Sequence, residues 1–225
     1  MNKKYKTYII ATDGAGKISG GTKFAASTVT VFTPNEIVFE TKVTILNASN
    51  ILAEIYAFYI GVMYAHHLEE NNPNTKFIFV TDSDFIKKAL TKWIVFWRID
   101  AKRQIDGIAR ARNKKDRITY YRLMDHIAII YEALHRRQIC LIKSHIKKEE
   151  QITEAEKELK YPRPIVVLFI ALNHIADTMA SYMMRSAIQT NQFDLVIENG
   201  LNEKELFNTL VSHYINYDFK GMIQG

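Results

Sequence analysis

Four acidic residues stand where they could act together: Asp13, Glu54, Asp82 and Asp177. Asp13 and Asp82 each follow a run of β-forming residues, whereas Glu54 and Asp177 lie in segments with helical spacing. Carboxylates packed closely repel one another unless cations lie between them. Oxygen-only clusters select hard divalent ions such as Mg²⁺ or Mn²⁺. Two such ions can activate a water molecule and stabilise the leaving oxygen of a phosphodiester.

Each acid taken alone has an ordinary explanation. An Asp before Gly or Ser most often makes a turn or caps a helix. Only the combination suggests a metal site, and it requires a fold that brings four distant positions together. Strands and helices would have to position them side by side.

The hydrophobic pattern predicts an α/β fold with a five-stranded mixed sheet, three antiparallel strands followed by two parallel ones, and helices on both faces. The predicted strands are residues 5–12, 23–32, 37–46, 76–81 and 138–143, and the main helices 51–68, 84–97, 116–137 and 165–187, with one more around 203–214. If the first and fourth strands are parallel neighbours, Asp13 and Asp82 emerge side by side. The run Asp13-Gly14-Ala15-Gly16 is a turn signal that we expect to end the first strand.

Positive charge is concentrated in one segment. The chain carries a net charge of +6, but residues 87–122 hold twelve Lys or Arg against three Asp or Glu, a local excess of +9. Aromatic residues, among them Trp93, Phe96 and Trp97, are interleaved with these bases. Such a pattern favours nucleic-acid binding, although a solvated helix with core aromatics would give the same composition.

The chain has one cysteine, Cys140, and its longest uninterrupted apolar run, residues 165–172, is shorter than a membrane span of roughly 18 residues. No secretory signal is visible at the amino terminus. We expect a soluble, cytoplasmic protein with no membrane partner.

Several short segments resemble ribonuclease H of the bacterial type I family, and they occur in the family's order. They are TDG at residues 12–14, NILAE at 50–54 with Ala57, VTDS at 80–83, IKSH at 142–145 and NHIADTMA at 173–180. In addition, LTKWI at 90–94 with Trp97 is similar to the family's Trp-bearing helix, which leads into a basic protrusion.

This resemblance implies an RNase H-like fold and an endonuclease that cuts the RNA strand of RNA/DNA hybrids, leaving 5′-phosphate and 3′-hydroxyl ends. It implies two Mg²⁺ ions, with Mn²⁺ as a substitute, held by the four acids named above. His145 matches the family's mobile histidine, which is thought to assist proton transfer or product release.

The resemblance and the basic segment together suggest the residues that contact the hybrid. An amide at Asn50 could hydrogen-bond a 2′-hydroxyl or a base edge in the minor groove, and it could instead, or also, cap the helix that follows. The predicted nucleic-acid-binding residues are Gly14, Asn50, Ser83, Lys92, Trp93, Trp97, Lys102, Arg103, Arg110 and Arg112.

The sequence also departs from the family. The connection between His145 and Asp177 has 31 residues, many more than in the family, and His174 stands where the family usually has Glu. We predict a catalytic domain at residues 1–187, with a basic protrusion at about 93–117 and an insertion at about 146–172, followed by a carboxyl-terminal extension at 188–225. Residues 165–172 should extend the late helix, and the insertion or the extension could support self-association or bind a protein partner.

Two alternatives remain. The acid cluster also suits another nuclease or strand-transferase of the same superfold, of the integrase or resolvase type. The second alternative is a hybrid-binding protein that has lost catalysis, and retention of all four acids argues against it.

Overall fold

The structure of the protein is a computed structural model that describes residues 5–102, 114–143 and 148–216, with side chains described at 5–99, 120–143 and 149–216. The strands are β1 (Lys6–Ser19), β2 (Thr22–Phe32), β3 (Ile37–Leu46), β4 (Thr75–Thr81), β5 (Arg137–Leu141) and β6 (Leu195–Val196). The helices are α1 (Asn50–Asn71), α2 (Asp84–Lys88), α3 (Ile94–Lys102), α4 (Lys114–Ala133), α5 (Lys148–Leu159), α6 (Arg163–Thr190) and α7 (Glu203–Asn216), and a π-helical turn, Ala89–Trp93, joins α2 to α3.

The strands form one sheet in the order β5-β4-β1-β2-β3-β6. Strands β1, β2 and β3 are antiparallel neighbours, and β4 and β5 run parallel to β1. The predicted mixed sheet of five strands is therefore confirmed. The short β6 adds a sixth strand, parallel to β3, that the sequence did not indicate.

Each face of the sheet is covered by its own set of helices. The larger core lies under α1, α4 and α7, where Phe58 and Phe79 are fully buried. Helix α1 is apolar around most of its circumference because it lies between the sheet and the outer helices. The smaller core lies under α5 and α6, which bury Phe169 against Val80 and Cys140.

The prediction that a turn at residues 13–16 ends the first strand is wrong. Strand β1 continues to Ser19, pairing Asp13 with Thr28 on β2. The turn lies instead at Gly20 and Gly21, whose φ values of 58° and 83° suit a tight hairpin between β1 and β2. The earlier glycines serve a different purpose, because they let α1 approach the strand.

The late part of the chain is ordered around the same sheet. Residues 165–172 lie within α6, as predicted, and Val166, Phe169 and Leu172 pack on the smaller core. Within the described residues, α6 is the one helix long and apolar enough to cross a membrane by length and composition. Beyond residue 187, β6 joins the sheet, and α7 buries Leu206 and Leu210 in the larger core.

Candidate active site

Asp13 and Asp82 lie opposite each other where β4 ends. Strands β1 and β4 pair in parallel up to Ala11 and Val80, and continuing this register by two places sets Asp13 opposite Asp82. Strand β4 stops at Thr81 while β1 continues beside β2 alone. The sheet therefore opens at this point, and the predicted neighbourhood of the two acids is confirmed.

Glu54 reaches the same place because α1 lies directly on β1. A β-carbon added at Gly14 would be 2.3 Å from the backbone nitrogen of Glu54, so only glycine permits this approach. The hydroxyl of Ser27 donates to the carbonyl of Ala53 at 2.8 Å, which fastens the helix to β2 as well. The position of Glu54 thus follows from the backbone contact between a strand and a helix.

The Glu54 carboxylate is held by two hydrogen bonds. The side-chain amide of Asn50 donates to one oxygen at 2.7 Å, and the hydroxyl of Ser83 donates to the other at 2.5 Å. Ser83 also accepts from the backbone N–H of Ile86, capping α2. Ser49, not Asn50, caps α1, since its hydroxyl accepts from the N–H of Leu52. The side chain of Asn50 is therefore engaged with Glu54 at the rim of the site.

Asp177 is brought in by α6, which is fastened beside Asp13. The hydroxyl of Thr28, the β2 partner of Asp13, donates to the carbonyl of Ala176 at 3.0 Å. The next residue, Asp177, is exposed at the edge of a cleft of about 850 Å³, and the other three acids line the same cleft. All four predicted acids are therefore brought together.

The electrostatics of the cleft centre on Asp13, which is 5% exposed. Burial, followed by repulsion from Asp82, Asp177 and Glu54, raises the pKa of Asp13 from 3.8 to about 8, against the lowering effect of the Gly14 N–H. Burial and the charge of Asp82 also raise the pKa of Glu54, although its bonds from Ser83 and Asn50 act in the opposite direction. The cluster is thus unfavourable in its fully ionised form unless protons or cations compensate it.

The donor atoms suit a hard divalent cation. They are carboxylate oxygens, joined by the side-chain oxygen of Asn173, which is buried in the cleft wall and has no hydrogen-bond partner among the described residues. In the described part of the chain, no three His, Cys, Asp or Glu side chains are close enough as placed to surround one ion. Glu54, for example, is held by Asn50 and Ser83. The chemistry of the acids therefore fits such an ion. Their side chains would have to move closer together to bind it.

Several predicted residues fall outside what the structure describes. His145, Arg103, Arg110 and Arg112 lie outside the described residues, and of Lys102 only the backbone, at the end of α3, is described.

Four other bases of the basic segment form ion pairs within the protein and are less available to phosphates: Lys87 with Glu158, Lys88 with Asp84, Arg98 with Asp125 and Glu132, and Arg122 with Glu203.

The two tryptophans pack together, with ring centroids 5.9 Å apart. Trp97 is only 7% exposed and belongs to the larger core, so it offers almost no surface to a nucleic acid. Trp93 is half-buried and Lys92 exposed. Phe96, by contrast, is 64% exposed on α3. Of the neighbouring pair Phe96 and Trp97, it is therefore Phe96 that can stack on a base.

The cleft is also lined by residues of α5 and α6 that the sequence did not identify as site residues. Helix α5 contributes Gln151 and Ile152, and α6 contributes Val167, Ile170, Ala171, Asn173, His174 and Ser181. The predicted insertion therefore contributes residues to the site. Asn173 had one signal, because it lies four residues before Asp177 on the same helical face.

The sheet order and the crossover helix, with Asp13 on β1 and Asp82 just after β4, are those of an RNase H-like fold. One solved structure similar to this chain is the amino-terminal RNase H domain of a Mycobacterium tuberculosis protein, determined as a fusion with maltose-binding protein. It is 17% identical with a TM-score of 0.52, covering 83% of this chain and 99% of its own.

Two further structures are similar to this chain. LC9-RNase H1, a type 1 RNase H with the type 2 active-site motif, is 14% identical with a TM-score of 0.52, covering 83% of this chain and 75% of its own. LC11-RNase H1, isolated from compost by a metagenomic approach, is 16% identical with a TM-score of 0.50, covering 81% of this chain and 99% of its own. No family model matches the sequence, and no curated protein matches it significantly. The likeness is therefore one of fold.

Proposed function

We propose that this chain is a divalent-cation-dependent endonuclease that hydrolyses the RNA strand of RNA/DNA hybrids. The observation that carries the proposal is the meeting of four carboxylates in one cleft, from β1, α1, α6 and the residue after β4, where the pKa of Asp13 is raised to about 8. A fold that buries and crowds acids in this way gains most when cations neutralise them. The likeness in fold to type 1 RNase H structures supports the choice of reaction.

The proposed cofactor is a pair of Mg²⁺ ions, with Mn²⁺ as a substitute, held by Asp13, Glu54, Asp82 and Asp177. When bound, such ions supply an activated water and stabilise the leaving oxygen of the phosphodiester. The expected products carry 5′-phosphate and 3′-hydroxyl ends. The remaining work falls to residues that fix these carboxylates in place.

The protein's own residues prepare the site in three ways. Ser83 and Asn50 orient the Glu54 carboxylate through its two oxygens. Thr28 fixes α6, and with it Asp177, next to the strand of Asp13. The apolar side chains of Ile152 and Val167 also line the cleft and displace water where they lie. His145 is proposed to move protons or assist product release.

The hybrid is proposed to lie across the open cleft toward α3. Asn50 stands at the rim beside Glu54, where its amide could meet a 2′-hydroxyl of the RNA strand. Lys92 and Phe96 are exposed on the segment that follows Ser83, and the excess positive charge of residues 87–122 would bind the phosphates. The proposed location in the cell is the cytoplasm.

A comparison of substrates tests the function. Equal amounts of hybrid, single-stranded RNA, duplex RNA and duplex DNA, each with Mg²⁺, Mn²⁺ or EDTA, are offered to the wild type and to Asp13→Asn. We expect cleavage of the RNA strand of the hybrid by the wild type alone, and only with a divalent ion. Preferential cleavage of DNA would favour a resolvase- or integrase-type enzyme. Tight hybrid binding without cleavage in either metal would indicate a silent binding protein.

A further inference from the structure

One buried polar atom in the cleft wall has no hydrogen-bond partner within the part of the chain that the structure describes. Asn173, on α6, is 5% exposed, and its side-chain oxygen Oδ1 accepts no hydrogen bond from the described part of the chain. Leaving an amide oxygen buried and unpaired costs about 1–3 kcal/mol. Buried polar groups of this kind usually meet an ion, a water molecule or a ligand when the protein functions.

The position of Asn173 identifies what it could meet. It lines the same cleft as Asp13 and Asp177. It precedes Asp177 by four residues, and four residues of helix rise by about 6 Å, so both side chains project from one face of α6. The bond from Thr28 to the carbonyl of Ala176 fixes this stretch of helix beside Asp13. The unpaired oxygen therefore lies in the wall that the fourth acid also occupies.

The chemistry of an amide oxygen suits this place. Four ionised carboxylates already balance the charge of two divalent cations. A fifth carboxylate would add a negative charge that repels the phosphate of a nucleic acid, whereas an amide adds an oxygen ligand without charge. Neutral carbonyl oxygens are ordinary ligands of hard cations.

We infer that Asn173 is a fifth oxygen donor of the cation site, its side-chain carbonyl binding the ion held by Asp177, directly or through a water of that ion. This inference rests on the proposed metal-dependent function. It assigns the unpaired oxygen a partner and gives the long α6 a second binding residue beside Asp177.

Thermal unfolding of the full chain during titration with Mg²⁺, and separately with Mn²⁺, tests the inference without an activity measurement. A bound ion raises the melting temperature by an amount that depends on its concentration relative to its Kd. Without metal, Asn173→Leu should melt at or above the wild-type temperature, because an unpaired polar group has been removed. The metal midpoint is the metal concentration that gives half of the rise in melting temperature over the titration. For Asn173→Leu it should rise about 10-fold or more, which is the scale for lost groups around a metal site.

Asn173→Asp provides the opposite change. It keeps the oxygen and adds a charge, so the metal-free protein should melt lower and the metal midpoint should fall below that of the wild type. An Asn173 that only packed α6 would lose stability in both variants with no change in midpoint. If Asn173→Leu does not fold, the midpoint of Asn173→Asp decides alone, and an unchanged value overturns the inference.

Thr41→Val is the matched control. The Thr41 hydroxyl is also buried and has no hydrogen-bond partner in the described ranges, but Thr41 lies on β3 and is not among the residues that line the cleft. This variant should keep the wild-type metal midpoint. A wild-type midpoint in Asn173→Leu, alongside a lost metal response in Asp13→Asn, overturns the inference and leaves the proposed function standing. A wild type that responds to neither metal overturns both.

Discussion

Gly14 and Glu54 are in backbone contact: a β-carbon at Gly14 would lie 2.3 Å from the Glu54 nitrogen and 2.6 Å from the carbonyl carbon of Ala53. The atoms in the way belong to the α1 backbone, which cannot rotate aside as a flexible side chain can. The spacing between β1 and α1, and hence between Asp13 and Glu54, is therefore set by a residue with no side chain.

Gly14→Ala should push α1 away from β1. We expect a loss of about 1–3 kcal/mol or more in the free energy of unfolding, as for other overpacked cores, and a large loss of cleavage because Glu54 moves with the helix. Urea unfolding and a hybrid cleavage assay measure the two effects. Gly20→Asn is the control, since Gly20 has open space around it and a φ of 58° that Asn tolerates. Equal stability of the two variants would contradict the close contact.

Asp13→Asn should change how stability depends on pH when EDTA is present. The folded pKa of Asp13, about 8, exceeds its ordinary value of 3.8, so the folded state keeps a proton that the unfolded state releases. Wild-type stability should therefore fall as pH rises from about 4 to about 8, by at most about 1.4 kcal/mol per pH unit from this group. Asp13→Asn lacks this contribution and should also lose cleavage. Urea unfolding at several pH values decides, and identical pH slopes in both proteins would refute the raised pKa.

Phe96→Ala and Trp97→Ala should separate binding from folding. Phe96 is 64% exposed, so its loss should weaken hybrid binding by roughly 1–3 kcal/mol, the scale of a lost base stack, with little effect on melting. Trp97 is buried, so Trp97→Ala should destabilise the protein by about 3–5 kcal/mol. Fluorescence anisotropy with a labelled hybrid, in an Asp13→Asn background, and thermal melting give the two readouts. Unchanged binding by Phe96→Ala would exclude stacking at this position.

Neutralising Lys102, Arg103, Arg110 and Arg112 to Gln should make hybrid binding less sensitive to salt. Each lost phosphate contact removes about 0.7–0.9 from the slope of log K against log salt. Lys88→Gln is the control, because Lys88 is paired with Asp84 and should contribute little to that slope. Binding measured over a range of KCl concentrations gives the slopes. A slope equal to that of the wild type would mean that residues 102–112 do not touch the phosphates.

His145→Ala should slow turnover by about 10² to 10⁴, the range for a lost proton-transfer group, with the metal midpoint unchanged. His174→Ala is the comparison, since His174 lines the cleft one turn before Asp177. Cleavage rates of both variants across pH show which histidine the pH profile follows. If His145→Ala has the wild-type rate at every pH, the transfer of protons must be assigned elsewhere.

The sequence by itself predicted five strands of the sheet and the four acids that line the cleft. Alternating and continuous apolar runs identified five strands, because burial on one or both faces imposes those patterns. The expected parallel pairing of the first and fourth strands placed Asp13 beside Asp82, and this holds although β1 continues past Asp13 to Ser19. These inferences needed only local patterns and the rules of chain connection.

The tertiary structure decided which residues fill the site and which support it. Asp-Gly-Ala-Gly reads locally as a turn, yet Gly14 continues β1 because a distant helix needs the space of its missing side chain. The π-helical turn at Ala89–Trp93 shifts the helical phase, so no regular spacing could foretell that Trp97 is buried and Phe96 exposed. Asn173 became a candidate ligand only when packing buried its oxygen without a partner. Each of these outcomes depends on contacts between segments far apart in the chain, which local sequence does not encode.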